Sequence, residues 1–372
     1  MNTASPRLVY VSASTLPSGE ANAVHVAQMC DAFAELGMPV ELRGNPGTGA
    51  SVAAHYGLRN QFPICLPSWI GNTLWKVGRS LYRRTERTSG VLYFGRNLPD
   101  IAQLAAWGYP VGFELHHPPR SAKKLAKLRR IVEAPGLRGL VVTTESLRVD
   151  LLARFPALDP ARILVAHDGV RADRIVVPRL RQTGAVRAVY CGSFHQGKGV
   201  ETLIAAAAMV PEVTFDVIGG APAQVQAVSA LAPPNVRFLG RLPYDDTQRL
   251  LPEYDIALAP YGSVVRGVRT PAHESLAAWM SPLKLFEYMG AGLPIVTSDL
   301  PVLKEILSHE ATALMVSPDD PSAHAAAIRR LASDGALRLR LAQAAQEALR
   351  TYTWENRAAR ILEFLGARRT AA

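Results

Sequence analysis

Two charged side chains stand in an otherwise apolar stretch of the C-terminal half, SPLKLFEYMGAGLPIV. Lys284 and Glu287 are three residues apart, so on a helix both project to the same side. Ser281 is a candidate helix cap and Pro282 suits the first helical position, which would leave free backbone amides beside Lys284. A lysine with such amides suits a diphosphate, and a carboxylate can accept hydrogen bonds from both hydroxyls of a vicinal diol. The alternative is a surface salt bridge, which the apolar surroundings disfavour.

A second candidate anion site lies in YCGSFHQGKGVETLI, which is typical of a strand, a glycine-rich turn and a helix. Gly192, Gly197 and Gly199 permit tight turns, and Lys198 lies just before the helix. Free amides, the positive end of the helix and the lysine together favour an anion. The stretch lacks the ending of a Walker loop and the dinucleotide G-x-G-x-x-G pattern, which argues against a dehydrogenase. A tight turn with a solvated lysine is the competing interpretation.

Two histidines follow a predicted buried strand in PVGFELHHP. Successive strand residues point to opposite faces, so at most one of His116 and His117 is expected to face a site. The pattern Glu114-Leu115-His116 favours His116, whose neutral imidazole could hydrogen-bond a sugar hydroxyl. The alternative is a packed histidine bonded to backbone. In the first predicted loop, Gly19 and the following amides either approach a diphosphate or an acceptor, or form a simple turn.

The acidic residues and cysteines give no metal-ligand pattern. No Asp-x-Asp motif occurs, and the adjacent pairs Asp245–Asp246 and Asp319–Asp320 are predicted to cap helices. We therefore expect no metal requirement, with lysines and helix ends neutralising a leaving diphosphate. The three cysteines are odd in number and far apart, which predicts reduced thiols and a cytoplasmic protein.

Composition and charge bound the class of protein. The chain has 372 residues, 48% hydrophobic and 19% charged, which indicates a soluble globular protein of two domains. No apolar run approaches the roughly 18 residues of a membrane-spanning helix. The net charge of +10 is concentrated in residues 75–87 and 120–130. The second run surrounds Leu125, Leu128 and Ile131 with cations, which predicts peripheral contact with an anionic membrane or a lipid-diphosphate acceptor. The run has no interleaved aromatic residues, so no nucleic-acid partner is expected.

Predicted buried strands alternate with helices along nearly the whole chain. This pattern predicts an α/β protein with two Rossmann-like, doubly wound domains facing a central cleft. The expected division is an N-terminal domain over residues 1–170 and a C-terminal domain over residues 171–352. Residues 168–187 are interpreted as the linker. Residues 353–372 are predicted to form a helix that packs back toward the N-terminal domain.

Several of these stretches together resemble the second domain of family-4 glycosyltransferases, which are retaining enzymes of the two-domain GT-B fold. The resemblance is carried in order by YCGSFHQGKGVETLI, VRFLGRLPYDDTQRLLPEYDIALAPY, SPLKLFEYMGAGLPIVTSDLPVLKEIL and the Trp of TYTWENRA. It spans residues 190–354, and it implies that the domain over residues 171–352 binds a nucleotide sugar and that the domain over residues 1–170 binds the acceptor. The N-terminal half is similar more loosely, in SGEANAVHVAQMCDAFAELG, FELHHP and AHDGV.

The resemblance implies that Lys198 and Lys284 bind the diphosphate of a nucleotide-sugar donor and that Glu287 holds its ribose. His116 would lie beside the transferred sugar and the acceptor. The further donor-binding positions implied are Gly19, Gly192, Ser193, the backbone near Arg241 and Leu242, and Ser281, Pro282 and Leu283. Two positions depart from the family pattern. Ser193 stands where arginine is frequent, and Trp279 stands where the family has the first of two glutamates, which leaves the donor sugar open.

The implied activity is metal-independent, retaining transfer of a sugar from a nucleotide diphosphate to an acceptor hydroxyl. The implied acceptor is a saccharide or lipid-linked glycan of cell-surface polysaccharide synthesis, at the cytoplasmic face of the membrane. An epimerase or hydrolase of nucleotide sugars on the same fold is the rival enzyme. A non-catalytic nucleotide-sugar-binding protein is the rival outside catalysis, suggested by Ser193 and Trp279.

Overall fold

The computed structural model describes residues 7–48, 51–67, 69–81, 90–180, 184–267 and 274–367. The chain forms two compact units. The first comprises Met1–His167 together with Trp354–Ala372, and the second comprises Asp168–Thr353. Within the described residues each unit contains one parallel β-sheet with helices in its connections, which is the α/β class predicted.

The sheet of the first unit has seven described strands: β1 Arg7–Leu16, β2 Val40–Pro46, β3 Ile64–Cys65, β4 Val91–Gly95, β5 Val111–Leu115, β6 Leu137–Val142 and β7 Ile163–Val165. Their order is β3-β2-β1-β4-β5-β6-β7, and all pairs are parallel. The helices are α1 Ala21–Glu35, α2 Val52–Tyr56, α3 Trp69–Leu81, α4 Leu98–Ala106, α5 Ala122–Val132 and α6 Glu145–Arg154. β4 and β5 are buried along their whole length, as expected for strands covered on both faces.

The sheet of the second unit has six described strands: β8 Arg187–Gly192, β9 Thr214–Gly219, β10 Val236–Gly240, β11 Ile256–Ala259, β12 Ile295–Ser298 and β13 Leu314–Val316. Their order is β10-β9-β8-β11-β12-β13, again parallel. Its helices are α7 Val200–Ala208, α8 Pro222–Ser229, α9 Tyr244–Leu250, α10 Leu283–Gly290, α11 Pro321–Ser333 and α12 Gly335–Leu349. Alternate residues of β8 and β11 enter different hydrophobic clusters, so the sheet has a core on each face.

Strand order in the second unit reverses between β8 and β11. The chain runs from β8 outward to β10 on one side and from β11 outward to β13 on the other. The connections that leave these two central strands therefore diverge, and ligands of doubly wound sheets bind at such a switch point, beyond the carboxyl ends of the strands. The loops after β8 and β11 are the ones that lead to α7 and α10.

The predicted linker over residues 168–187 is wrong for its described first part, which packs inside the second unit. Val170 is buried, its amide donates to the Tyr352 carbonyl at 3.1 Å, and it pairs with Thr353 in an isolated bridge. The Val176 amide donates to the Gly290 carbonyl at 2.8 Å. The units accordingly divide after His167 rather than after residue 170. Residues 181–183 lie outside the described part of the chain.

The C-terminal helix, α13 Trp354–Phe364, belongs to the first unit and packs against α1. Trp354 is buried and contacts the His25 ring edge to face, with centroids 5.2 Å apart. Its residues thus enter a core built mainly by the N-terminal half. Among the helices of the described residues, none is both long and apolar enough to cross a membrane.

Candidate functional site

The loop between β8 and α7 is held tightly by the segment that follows β11. Gly197 has φ +74° and Gly199, the N-cap of α7, has φ +94°. A Cβ on Gly197 would overlap the Val264 carbonyl oxygen, and one on Gly199 would overlap that of Pro260. Both positions therefore need glycine, for backbone conformation and for space.

Tyr190 supports the same loop from beneath. Its phenol lies 2.9 Å from the Ser193 carbonyl oxygen and 3.1 Å from that of Lys198, so it donates toward both. Ser193 is half-buried, and its carbonyl is fixed by this contact. The loop that carries Lys198 is thus braced by a buried tyrosine of β8.

Lys198 and Lys284 share one wall of the second unit. The Lys284 Nζ lies 3.9 Å from the Tyr190 ring centroid and 5.1 Å from that of Tyr261, and the Lys198 Nζ lies 5.4 Å from the Tyr261 centroid. Aromatic faces attract cations, but they are weaker partners than carboxylates. Gly192 completes this wall, because a Cβ there would come within 2.7 Å of the Lys284 Nζ.

The Lys284 ammonium is a buried charge that has no hydrogen-bond partner within the described ranges. Its residue is 9% exposed. Burial, with the neighbouring Lys198 charge, lowers the pKa of Lys284 to about 7, and burial lowers the pKa of Lys198 to about 8. An uncompensated buried ammonium is costly, so its position indicates that an anion completes the site.

The start of α10 differs from the sequence prediction. Pro282 is the N-cap rather than the first helical residue, and the helix begins at Leu283. Ser281 does not cap the helix, because its hydroxyl accepts from the Asp168 amide at 3.3 Å. Since proline has no capping oxygen, the first amides of α10, at Leu283 and Lys284, are left for another acceptor. The backbone amides beside Lys284 are therefore available, as expected, but the reason is the proline at the N-cap.

Glu287 lies one turn after Lys284, half-buried at the side of α10. The Tyr244 phenol of α9 donates to its carboxyl group, and Gln248 lies beside it. Burial raises the pKa of Glu287 to about 7, opposed by the Tyr244 hydrogen bond and the Lys284 charge. The Glu287 carboxyl is thus close to half-ionised at neutral pH. The Tyr244 hydroxyl next to it is a second group that can donate and accept hydrogen bonds.

Arg241 and Leu242 follow β10, at the same edge of the sheet as the loop after β8. Arg241 is exposed, and its Nε donates to the Gly220 carbonyl at 3.2 Å. Leu242 is half-buried and packs on the core. The carboxyl ends of β8, β9 and β10 are adjacent in the sheet, so these residues lie along one edge with Gly192.

His116 belongs to the first unit, directly after β5, in a buried charge network. The Glu114 Oε1 accepts from the His116 Nε2, and it lies 2.7 Å from the His25 Nε2 and 3.2 Å from the Arg357 Nη2. Burial alone would raise the pKa of Glu114, but Arg357, His25 and His116 hold it well below its usual range. Burial and the Arg96 charge lower the pKa of His116 to about 3, so its imidazole is neutral. His117, by contrast, is exposed, with Nδ1 3.4 Å from the Pro118 carbonyl.

One group of metal-ligating side chains occurs in the described chain, formed by His25, Glu114 and His116. The Glu114 oxygen that would bind a cation is already contacted by the Arg357 guanidinium, which also donates to the Ala166 carbonyl at 3.1 Å and is itself buried. We therefore interpret the group as a hydrogen-bonded network around a permanent cation, not as a metal site.

The remaining predicted positions have mixed outcomes. Gly19 is an exposed residue of the loop before α1. Asp320 caps α11 as predicted, accepting from the Ala323 amide at 3.0 Å, whereas Asp319 accepts from the Ser263 amide at 2.8 Å. The cap predicted at Asp245–Asp246 is wrong, since Pro243 is the N-cap of α9 and Asp245 pairs with Arg174 and Arg249.

The basic surface of α5 is less apolar than predicted. In α5, Leu128 and Ile131 are buried in the core and only Leu125 is partly accessible, although Lys123, Lys124, Arg129 and Arg130 are exposed. The other basic run continues into residues 82–87, which lie outside the described residues. Its described helix, α3, exposes Leu74 and Val77 to 66% and 50%.

Sequence reasoning missed three tyrosines and an arginine that surround the predicted groups. Tyr190 and Gly192 share one face of β8, so strand alternation could have placed this tyrosine beside the glycine turn. Tyr244, Tyr261 and Arg357 had no such signal, because they come from distant parts of the chain.

Comparison with known proteins shows a family similarity in the second unit. Residues 185–334 match the family model described as glycosyl transferases group 1. A D-inositol 3-phosphate glycosyltransferase of Nocardioides sp. is 24% identical over 302 residues, covering 69% of this chain, and the chain spans 62% of that relative's length. The match therefore includes both units but leaves part of the relative unmatched.

Solved structures show the same fold. A glycosyltransferase from Rickettsia africae aligns with TM-score 0.74 at 13% identity, covering 99% of this chain and 100% of that one. HepE of Anabaena, solved with UDP and glucose, aligns with TM-score 0.71 at 14% identity over 97% and 100% of the two chains. The predicted two-domain α/β fold is thereby confirmed. Residues 185–334 are thus similar to the glycosyl transferases group 1, and the whole chain has the fold of these solved structures.

Proposed function

We propose that this protein is a retaining glycosyltransferase that moves a sugar from a nucleotide-diphosphate donor to an acceptor hydroxyl. The observation that carries the proposal is the buried, unpartnered Lys284 ammonium beside Lys198, set between the starts of α7 and α10. Two cations and two helix N-termini suit the two phosphates of a donor. Glu287, with Tyr244 beside it, suits the ribose diol.

The family match and the known relatives support the glycosyl-transfer part of the proposal. The same site would serve the reaction as well as binding. The acceptor oxygen forms a bond to the anomeric carbon while the bond from that carbon to the diphosphate breaks. The acceptor proton passes to the leaving diphosphate on the same face, which retains configuration. Lys198, Lys284 and the helix ends stabilise the charge that develops on the diphosphate, so no metal is required.

The proposed acceptor is a growing saccharide on a lipid carrier, used at the cytoplasmic face of a membrane. Exposed cations on α5 and exposed Leu74 and Val77 on α3 support contact with an anionic surface. Sedimentation with phosphatidylglycerol vesicles, and none with phosphatidylcholine vesicles, is expected. Replacing Lys123, Lys124 and Arg130 with alanine should reduce sedimentation, and an unchanged bound fraction would contradict this part.

The central experiment is a thermal-shift screen against nucleoside diphosphates and their sugars, followed by product analysis with labelled donor. Transfer is expected only when an acceptor is added, with retained anomeric configuration and an unaltered rate in EDTA. Release of free sugar without acceptor would favour a hydrolase. Nucleotide binding without turnover on any acceptor would favour a non-catalytic binding protein.

A further inference from the structure

The buried network around His116 contains more groups than the binding of a sugar requires. Glu114 is 1% exposed and Arg357 is 2% exposed, and they come from β5 and α13, 243 residues apart in the sequence. Arg357 also donates through Nε to the His167 carbonyl at 2.9 Å, so its guanidinium is fixed on several sides. The Glu114 Oε2 has the Tyr10 phenol 3.5 Å away.

The chemistry of the contacts determines which nitrogen of His116 carries the proton. Glu114 is ionised and can only accept, so its contact with the His116 Nε2 requires a hydrogen on that nitrogen. A neutral imidazole carries a hydrogen on only one of its two nitrogens, so Nδ1 must then be the acceptor. His25 packs edge to face on His116, with centroids 4.7 Å apart, and limits rotation of the ring.

We propose that Glu114 and Arg357 are positioning residues that hold His116 as the neutral tautomer protonated on Nε2, so that Nδ1 accepts a hydrogen bond from a substrate hydroxyl. Glu114 supplies the acceptor that selects the tautomer. Arg357 keeps the Glu114 carboxylate ionised and fixed, and thereby makes the C-terminal helix part of the reactive constellation. Arg96 and His25 are the other charged or titratable groups that face His116. The inference rests on the proposed function for the presence and identity of the hydroxyl, whereas the tautomer follows from the contacts of Glu114 with His116.

The tautomer can be observed without any activity measurement. In protein with ¹⁵N-labelled histidine, the long-range ¹H–¹⁵N spectrum distinguishes the protonated from the unprotonated ring nitrogen. Signals absent from the His116→Asn spectrum assign the ring. We expect a neutral imidazole with the proton on Nε2 at neutral pH; a proton on Nδ1, or a charged ring, would overturn the proposal.

Substitutions test the functional consequence. Glu114→Gln keeps the side-chain shape but offers an amide donor toward Nε2, so a mixed or reversed tautomer is expected. Loss of such an orienting partner should reduce kcat by roughly 10- to 100-fold while the donor KM stays within about twofold. Arg357→Lys, which keeps the cation, should retain more activity than Arg357→Gln. Arg360→Gln is the matched control, since Arg360 lies on the same helix and donates to the Val165 carbonyl.

The outcomes separate this inference from the proposed function. A folded Glu114→Gln protein with wild-type kcat and the wild-type His116 tautomer would contradict the inference and leave the proposed transferase activity unaffected. The expected tautomer in a wild-type protein that transfers no sugar would support the positioning of His116 and count against the proposed reaction. If the variants do not fold, the wild-type spectrum alone decides.

Discussion

In the second unit, the buried Lys284 contacts two tyrosine rings and has no hydrogen-bond partner in the described chain. In the first unit, by contrast, the buried Glu114 is contacted by two imidazoles and a guanidinium. Both side chains are charged groups removed from water, and both fill space beside aromatic residues. A buried charge that the protein satisfies contributes to the scaffold. One that it leaves unsatisfied marks the place of a ligand of opposite sign.

The largest expected effect is on stability, from Glu114→Ala. The substitution leaves Arg357 buried without its carboxylate, which should lower the free energy of unfolding by about 3–5 kcal/mol, measured by urea denaturation. Glu347→Ala is the control, because Glu347 makes an exposed pair with Arg350 and should change stability by less than about 0.5 kcal/mol. Similar values for the two variants would show that the network is not a scaffold.

Lys284→Met should have the opposite character. Removing an unpartnered buried cation should leave the unfolding free energy equal or higher. The loss of a charged contact should weaken nucleotide-sugar binding by about 2–3 kcal/mol, on the order of 100-fold. Isothermal titration calorimetry measures the affinity, and Lys304→Met, at an exposed pair with Asp299, is the control. A destabilised Lys284→Met protein with normal affinity would reverse the comparison.

The pH dependence of binding sharpens the same point. A nucleotide sugar keeps its diphosphate charge across neutral pH, so the titrating groups belong to the protein. The pKa of Lys284 is about 7 and that of Lys198 about 8, and a bound anion must raise both. Affinity is therefore full below these values and falls as pH rises from about 7 to 9, with proton uptake on binding in that range.

Glu287, with a pKa of about 7, ionises over the lower part of this range and strengthens its own contact with the diol, which opposes the fall. The Glu287→Gln variant isolates the lysines, and its affinity should decline with pH more simply than that of the wild type. Affinity independent of pH in this variant would contradict the assigned role of the lysines.

The smallest expected effect comes from Gly192→Ala. The new methyl group would lie 2.7 Å from the Lys284 Nζ and displace the ammonium from its place between the rings. We expect about 1 kcal/mol of lost nucleotide affinity. Gly78→Ala, where no atom beyond the adjacent residues and the backbone of its own helix lies within 4 Å of the new Cβ, should not affect binding. Equal affinities would show that the ammonium moves freely.

The repeating elements of this fold could be predicted from sequence, because strand and helix periods are local. The positions of Lys198, Lys284 and Glu287 beside a glycine turn and a helix start could be predicted, because these features are local as well. Their roles in donor binding stay predictions. The start of α10 could not be predicted, because the Ser281 hydroxyl accepts a hydrogen bond from Asp168, far away in the chain, and does not cap the helix. The burial of Leu128 and Ile131 could not be predicted, because the sequence of an amphipathic helix does not itself reveal which face the core covers.

The position of Arg357 bears on how the chain folds during synthesis. Glu114 leaves the ribosome 243 residues before its cation does. Until α13 emerges, β5 must either keep a carboxylate exposed or hold it protonated in an unfinished core. The first unit therefore reaches its final state after the second has been translated. A chain that stops at residue 353 should be recovered aggregated or bound to chaperones.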